Sequence, residues 1–362
     1  MKNLGQLIMI GVEGTRVTPE LELFIREMNP GGVILFGANY KSPRQISKFI
    51  SSLCDAAEGP LIVGVDQEGG RVARLGPPFT QLPPMASLGR FSSAKRKAAG
   101  VGRLLAWELA AVGINLDFAP VLDVGTNQFN PIIGDRAISA DPEKVAQLGA
   151  ALIQGLQREG VGACGKHFPG HGDTAVDSHL TLPLLPHTKR RLEACEFLPF
   201  RAAIDAGVAS IMVGHLMVPN LDRDLPATFS RAIIRGILRG ELGYDGLVFT
   251  DDLTMGGIEG FFPSHDMAWR AIAAGADMAL ICHGRQTQRQ ALEGLKQAVG
   301  EGWINEAYVA DALGRILAFQ EEFCLSSNRP PMDVIGCTEH QQLAEELFRA
   351  IPPQRAAVAP SL

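Results

Sequence analysis

No stretch of this 362-residue chain is long and apolar enough to span a bilayer, which takes about 20 apolar residues in a row. The N-terminal MKNLGQLIMIGVEGTRV carries one early lysine and an apolar run too short for a secretory h-region, with no convincing cleavage site after it. Cysteine is sparse and scattered: Cys54, Cys164, Cys195, Cys282, Cys324 and Cys337 form no CxxC pair, so they read as small buried thiols in a reducing compartment. There is no HExxH zinc motif, and no GxGxxG follows the first apolar run, which weakens a dinucleotide-binding reading. Cationic excess is also missing. Lys and Arg number 33 against 39 Asp and Glu, a net charge of −6, which argues against nucleic acid or an anionic membrane as a partner. The chain is expected to be cytoplasmic and monomeric.

What the chain does have is core-forming material: 46% hydrophobic residues and 20% charged ones. Short apolar runs recur at Leu7–Ile10, Gly32–Phe36, Leu61–Asp66, Asn115–Phe118, Gly162–His167, Ser210–Val213, Leu247–Asp251 and Met278–Cys282. Segments of helical composition lie between most of them, among them Pro43–Ala57, Ala94–Val112, Pro142–Glu159, Arg190–Ala206, Ser230–Leu242 and Met267–Ala274. Apolar strands alternating with helices predict an α/β fold with a parallel sheet. Eight units fit a single-domain (β/α)8 barrel over residues 1–325, with a helical extension and tail over 326–362; an open doubly wound sheet is the competing architecture. Polar residues sit at the C-terminal ends of five of the runs: Asp66, Asp117, Lys166 with His167, His215 and Asp251. In a barrel those ends share one mouth, where barrel enzymes carry their sites.

The densest chemistry is Lys166–His179, KHFPGHGDTAVDSH, with three of the eight histidines, two aspartates and a lysine in 14 residues. Three readings compete. His167, His171, Asp173, Asp177 and His179 could ligate a metal, although the spacing matches no established motif. A Gly/Pro turn with satisfied histidines is the second. The third is acid–base catalysis: Asp177, two residues before His179, can accept its ring N–H and hold the imidazole ready to donate a proton. No helical or strand period runs from Gly170 to His187, and so long a stretch inside a compact barrel reads as a functional loop.

These residues resemble the signature of glycoside hydrolase family 3, in its β-N-acetylhexosaminidase branch. VDQEGGRVAR at Val65–Arg74, IGDRAIS at Ile133–Ser139 and VFTDDLTM at Val248–Met255 are similar to the family in the same order, as are GVILFGAN and LPATFS. The resemblance implies a (β/α)8 barrel and a retaining double displacement through a covalent glycosyl-enzyme. It makes Asp251 the nucleophile, with Asp252 as rival; alternation at a strand end would let only one of the two face the pocket. It makes His179 the acid/base with Asp177 as its partner. Asp66, Arg74, Arg136, Lys166 and His167 become sugar-binding residues, with Arg71 a competitor for Arg74 and His215 a further candidate on the pocket wall. It also implies removal of non-reducing-end N-acetylglucosamine from N-acetylglucosaminyl-anhydromuramyl peptides, with no cofactor and no metal. A phosphorylase of the same family and a catalytically inert sugar-binding barrel remain as alternatives.

Overall fold

The computed structural model describes residues 3–175, 182–258, 260–325 and 329–351. Eight parallel strands form one sheet: β1 (Ile8–Gly11), β2 (Gly32–Leu35), β3 (Ile62–Val65), β4 (Leu116–Asp117), β5 (Gly162–Phe168), β6 (Ser210–Val213), β7 (Leu247–Thr250) and β8 (Ala279–Ile281). Each pairs with the next in chain order as far as β7, and β8 pairs back to β1 through Ile8–Ala279, Met9–Leu280 and Ile10–Ile281. A single parallel bridge, Phe249 to Met278, joins β7 to β8 and closes the ring. All eight apolar runs are therefore barrel strands, and the open sheet is excluded.

Side chains fill the barrel axis. Phe118 and Phe249 meet edge to face at 5.3 Å. Gly64 makes room for them, since a Cβ there would stand 2.8 Å from both the Met9 methyl and the Phe118 ring. Local sequence sets where several outer helices begin. Thr18-Pro19, Ser42-Pro43 and Asp141-Pro142 open α1 (Pro19–Met28), α2 (Pro43–Ala56) and the helix Pro142–Arg158, each with the cap side chain accepting a backbone N–H. Proline then occupies a first-turn position where its missing N–H costs nothing, and each cap is worth about 1 kcal/mol.

Two helical expectations change. Arg190–Ala206 divides into Lys189–Ala194 and Phe197–Asp205. Pro199 is the reason: its ring clashes with the carbonyl four residues back, so the helix restarts with proline in its first turn. Ala232–Glu241, inside the expected Ser230–Leu242 helix, winds as a π-helix. At the C-terminus, Thr338–Arg349 is helical and lies against Ala94–Val112. Among the described residues no helix is long and apolar enough to cross a membrane.

Candidate active site

A cavity of about 420 Å³ opens at the C-terminal ends of the strands. That falls within the roughly 300–1,000 Å³ typical of small-molecule sites. Asp66, Arg74, Arg136, Lys166, His167 and Asp251 all line it, as do Glu68, Arg71, His171, Asp252 and Cys282. The sequence expectation thus converges on one place for six of its nine named residues.

Consecutive strand residues normally point to opposite faces, yet Lys166 and His167 both reach the cavity. The β5–β6 register explains this: Lys166 pairs with Met212 and Phe168 with Val213, leaving His167 as an extra residue. Such a bulge re-aims side chains. The Lys166 ammonium, 2% exposed, lies 2.7 Å from Asp66 and 2.6 Å from Glu68. Glu68 also takes a forked pair of hydrogen bonds from Arg136, at 2.8 and 2.9 Å. Burial alone would raise the Glu68 carboxyl; Lys166 and Arg136 outweigh it and hold the group at about 2. Against the opposing effect of burial, Asp66 and Glu68 hold Lys166 above its ordinary range, and Glu68 does the same for Arg136. Arg74 reaches Asp66 more loosely, at 3.4 Å. Arg71 instead leans outward and donates to the carbonyls of Ile132 and Pro131. Asp117, wholly buried beneath this cluster, accepts the Gln67 N–H at 3.0 Å, and its other oxygen has no partner among the described residues. Burial pushes its carboxyl up to about 7.

The chain turns after β7, so strand alternation does not decide between Asp251 and Asp252; both line the cavity. Their hydrogen bonds differ. Asp252 is tied to its own loop and to the end of β8: Oδ1 accepts from Cys282 and Thr254 N–H at 3.0 Å each, and Oδ2 from the Thr254 hydroxyl at 2.7 Å. Asp251 accepts one bond from a described residue, the Asp252 N–H at 2.8 Å on Oδ1. Burial would raise its carboxyl, but the imidazoles of His215 and His167, that amide and Lys166 outweigh it and hold it below the usual range. His215 corrects one expectation. It is fully buried, with Nδ1 2.6 Å from the Thr228 hydroxyl and Nε2 2.9 Å from the Asp252 carbonyl. With both nitrogens engaged it supports the Asp251–Asp252 turn from behind and does not line the cavity.

Asp123, fully buried, organises the histidine side. Its carboxylate lies 2.7 Å from His167 Nδ1 and accepts the backbone N–H groups of His167 and of His171, the latter at 2.6 Å. The His171 ring stands edge to face with His167 at 5.9 Å, and Nδ1 is 2.7 Å from the Thr174 hydroxyl. Burial pushes this imidazole down to about 4, so it is neutral at ordinary pH. Asn130 stitches the following loop to the barrel, donating to the carbonyls of His171 and Gly172. Gly172 is required there, because a Cβ would fall 1.8 Å from the Val124 carbonyl oxygen. Asp173 is held by the Thr126 hydroxyl and His187. Asp177 and His179 lie outside the described residues. Among the described residues no group of three or more His, Cys, Asp or Glu is placed to hold a metal ion.

The sequence profile of the "Glycosyl hydrolase family 3 N terminal domain" matches residues 1–319. The chain belongs to glycoside hydrolase family 3. Within the family, a β-hexosaminidase of Thiobacillus denitrificans is 42% identical over 285 residues, covering 77% of this chain and 79% of the relative. One from Neisseria meningitidis serogroup C is 38% identical over 322 residues, covering 86% and 88%. The family 3 β-N-acetylglucosaminidase of Paenibacillus sp. str. FPU-7 superposes with a TM-score of 0.90 at 38% identity, covering 96% of this chain and 68% of that one. Neisseria gonorrhoeae NagZ superposes at 0.81 and 34% identity, covering 95% and 97%. The chain is a glycoside hydrolase of the β-hexosaminidase type.

Sequence reasoning passed over Glu68, Asp123 and His171 as members of this family 3 site. Glu68 carried a readable signal: an acid beside two glycines in VDQEGG, immediately after a strand. Asp123, in VLDV, looked like the polar end of an apolar run, and nothing local ties it to His167, 44 residues downstream.

Proposed function

We propose that this enzyme removes non-reducing-end N-acetylglucosamine from β-glycosides by a retaining double displacement. Asp251 attacks the anomeric carbon and the glycosyl-enzyme is then hydrolysed. The observation that carries this reading is the contrast between the neighbouring aspartates: Asp252 takes three hydrogen bonds from Thr254 and Cys282, whereas Asp251 is ionised, on the cavity wall, and bonded by a single described donor. Asp66, Lys166, Arg136, Arg74 and His167 supply donors and acceptors for the hydroxyls of a pyranose. His179, oriented by Asp177, protonates the leaving oxygen and later deprotonates water; this assignment rests on the DSH pattern and on family membership.

The natural substrate on this reading is an N-acetylglucosaminyl-anhydromuramyl peptide in the cytoplasm. Six free thiols, with no disulfide among the described residues, support a reducing location. The resemblance to a NagZ solved with N-trifluoroacetyl-D-glucosamine supports the sugar. The test compares aryl β-N-acetylglucosaminide with aryl β-glucoside, then traps the enzyme with a 5-fluoro glycosyl donor for peptide mapping. Preference for the N-acetyl sugar and a label on the peptide carrying Asp251 are expected. A label on any other peptide removes the nucleophile assignment, and sugar 1-phosphate formed in phosphate buffer would make the enzyme a phosphorylase.

A further inference from the structure

The helix Thr338–Arg349 lies against Ala94–Val112, buries Ala344 and Leu347 in the core, and carries the ion pairs Lys97–Glu346 and Arg103–Glu339 at its surface. Exposed pairs hold little. The buried polar attachment is one carboxylate. Glu108, 3% exposed, accepts four hydrogen bonds from two other parts of the chain. Thr80 gives its N–H at 2.8 Å and its hydroxyl at 2.6 Å, Gly336 its N–H at 2.9 Å, and His340 Nδ1 lies 2.8 Å away. A buried carboxylate tolerates the loss of water only with such a full set of partners. Gly336 is pressed so closely onto the Thr80 loop that a Cβ would lie 2.3 Å from the Pro78 carbonyl oxygen.

That loop carries the sugar-binding hairpin. Two residues beyond Thr80, the Leu82 carbonyl accepts the Gly70 N–H at 2.9 Å. Gly69 and Gly70 ride directly on Leu82–Met85; a Cβ on either would come 2.9 Å from Pro83 or Pro84. Gly70 stands two residues after Glu68 and four before Arg74, in the hairpin formed by Gln67–Gly69 and Val72–Ala73. Glu68 in turn holds both Lys166 and Arg136. The path from the C-terminal segment to the hairpin therefore consists of three hydrogen-bond steps and a few covalent residues, and the Glu68 ion pairs carry it on to Lys166 and Arg136.

We infer that Glu108 is a positioning residue, and that the C-terminal segment, through Gly336 and His340, sets the placement of the Glu68–Arg74 hairpin in the cavity. Glu108 touches no substrate. It acts through Thr80 and Leu82, so its effect falls on sugar binding and leaves the Asp251 side largely alone.

The test uses the full chain and the aryl β-glycoside that the wild type turns over fastest. Glu108→Gln places an amide N–H2 against donors. KM is expected to rise about tenfold, short of the ~100-fold that a 1 Å misplacement can cost, with kcat within about twofold. His340→Ala is expected to raise KM in the same way. His340→Asn, which restores a side-chain N–H near the position of Nδ1, is expected to return KM to within about twofold of wild type. A merely structural strap predicts something different: lower thermal stability and fewer active molecules, with KM unchanged. Unchanged KM in folded Glu108→Gln and His340→Ala enzymes would overturn the inference, as would equal KM values for His340→Ala and His340→Asn. Should Glu108→Gln fail to fold, the two His340 variants decide the matter.

Discussion

Asp251 and Asp252 are adjacent, chemically identical and both on the cavity wall, so replacing each in turn by asparagine is a sharp test of the catalytic reading. In Asp251→Asn the amide still accepts the Asp252 N–H through its oxygen, so the turn is preserved while the nucleophile is lost. Knocking out a catalytic nucleophile typically costs ~10⁴-fold or more in kcat, which at 1.36 kcal/mol per tenfold is about 5.4 kcal/mol of transition-state stabilisation. In Asp252→Asn the retained oxygen still takes the N–H groups of Cys282 and Thr254, while the new amide nitrogen faces the Thr254 hydroxyl, which can turn and accept. The loss there is at most about one hydrogen bond, ~1 kcal/mol, so activity stays within about tenfold of wild type. His215 bonds the Asp252 backbone carbonyl and is unaffected by either change. The assay is steady-state hydrolysis of an aryl β-N-acetylglucosaminide, with circular dichroism to confirm folding. The expected ratio between the two variants is on the order of 10³ or more. An Asp252→Asn enzyme as inactive as Asp251→Asn, or more so, would refute the reasoning from the hydrogen-bond contrast.

Two further outcomes follow from the buried charges. Lys166→Met leaves Asp66, among the described residues, with only the 3.4 Å contact to Arg74, and breaking such a buried pair should cost about 3–5 kcal/mol, roughly 4–7 °C in thermal midpoint for a chain of this length; an unchanged midpoint would mean that burying the ammonium costs as much as its two contacts return. Asp117, raised to about 7 when folded against about 3.9 unfolded, contributes stability that is present below pH 4 and lost as pH rises through 7. Asp117→Asn removes that loss, so urea unfolding should show the variant gaining about 3 kcal/mol on wild type between pH 5 and pH 8; a gap independent of pH would show that this carboxyl is ionised in the folded protein across that range.

The eight barrel strands were legible because a strand covered on both faces reads as a continuous apolar run. Four cavity-lining residues were legible for a related reason: Asp66, Lys166, His167 and Asp251 each end or immediately follow such a run, and barrel closure brings those ends together. What escaped has a different origin. Glu68 sits on a hairpin whose two strands are three and two residues long, too short to show alternation. Asp123 and His171 belong to the site through contacts that cross strands, as does the Asn130 link between loops 41 residues apart. His215 was misread because position at a strand end does not say whether a ring faces the cavity; two hydrogen bonds turned it behind Asp251. The pairing of Asp177 with His179 was suggested by adjacency in sequence, which speaks to chemistry but not to placement.

The arrangement of charge also bears on which nucleophile completes the reaction. Among the described residues four carboxylates line the cavity (Asp66, Glu68, Asp251 and Asp252) together with four cations, Arg71, Arg74, Arg136 and Lys166. Lys166 and Arg136 are already paired with Glu68 and Asp66, and Arg71 leans outward onto carbonyls and Asp135. Recruiting a phosphate calls for cations whose charge is free to meet it. Of the four, only Arg74, with a single long contact to Asp66, has that freedom. A neutral sugar has no need of unpaired charge; it needs donors and acceptors fixed in place, and mutual pairing fixes them before it arrives. On the proposed reading of Asp251 as nucleophile, the electrostatic balance favours water over phosphate as the acceptor, and the prearranged pairs would act on the sugar without trapping anions in its place.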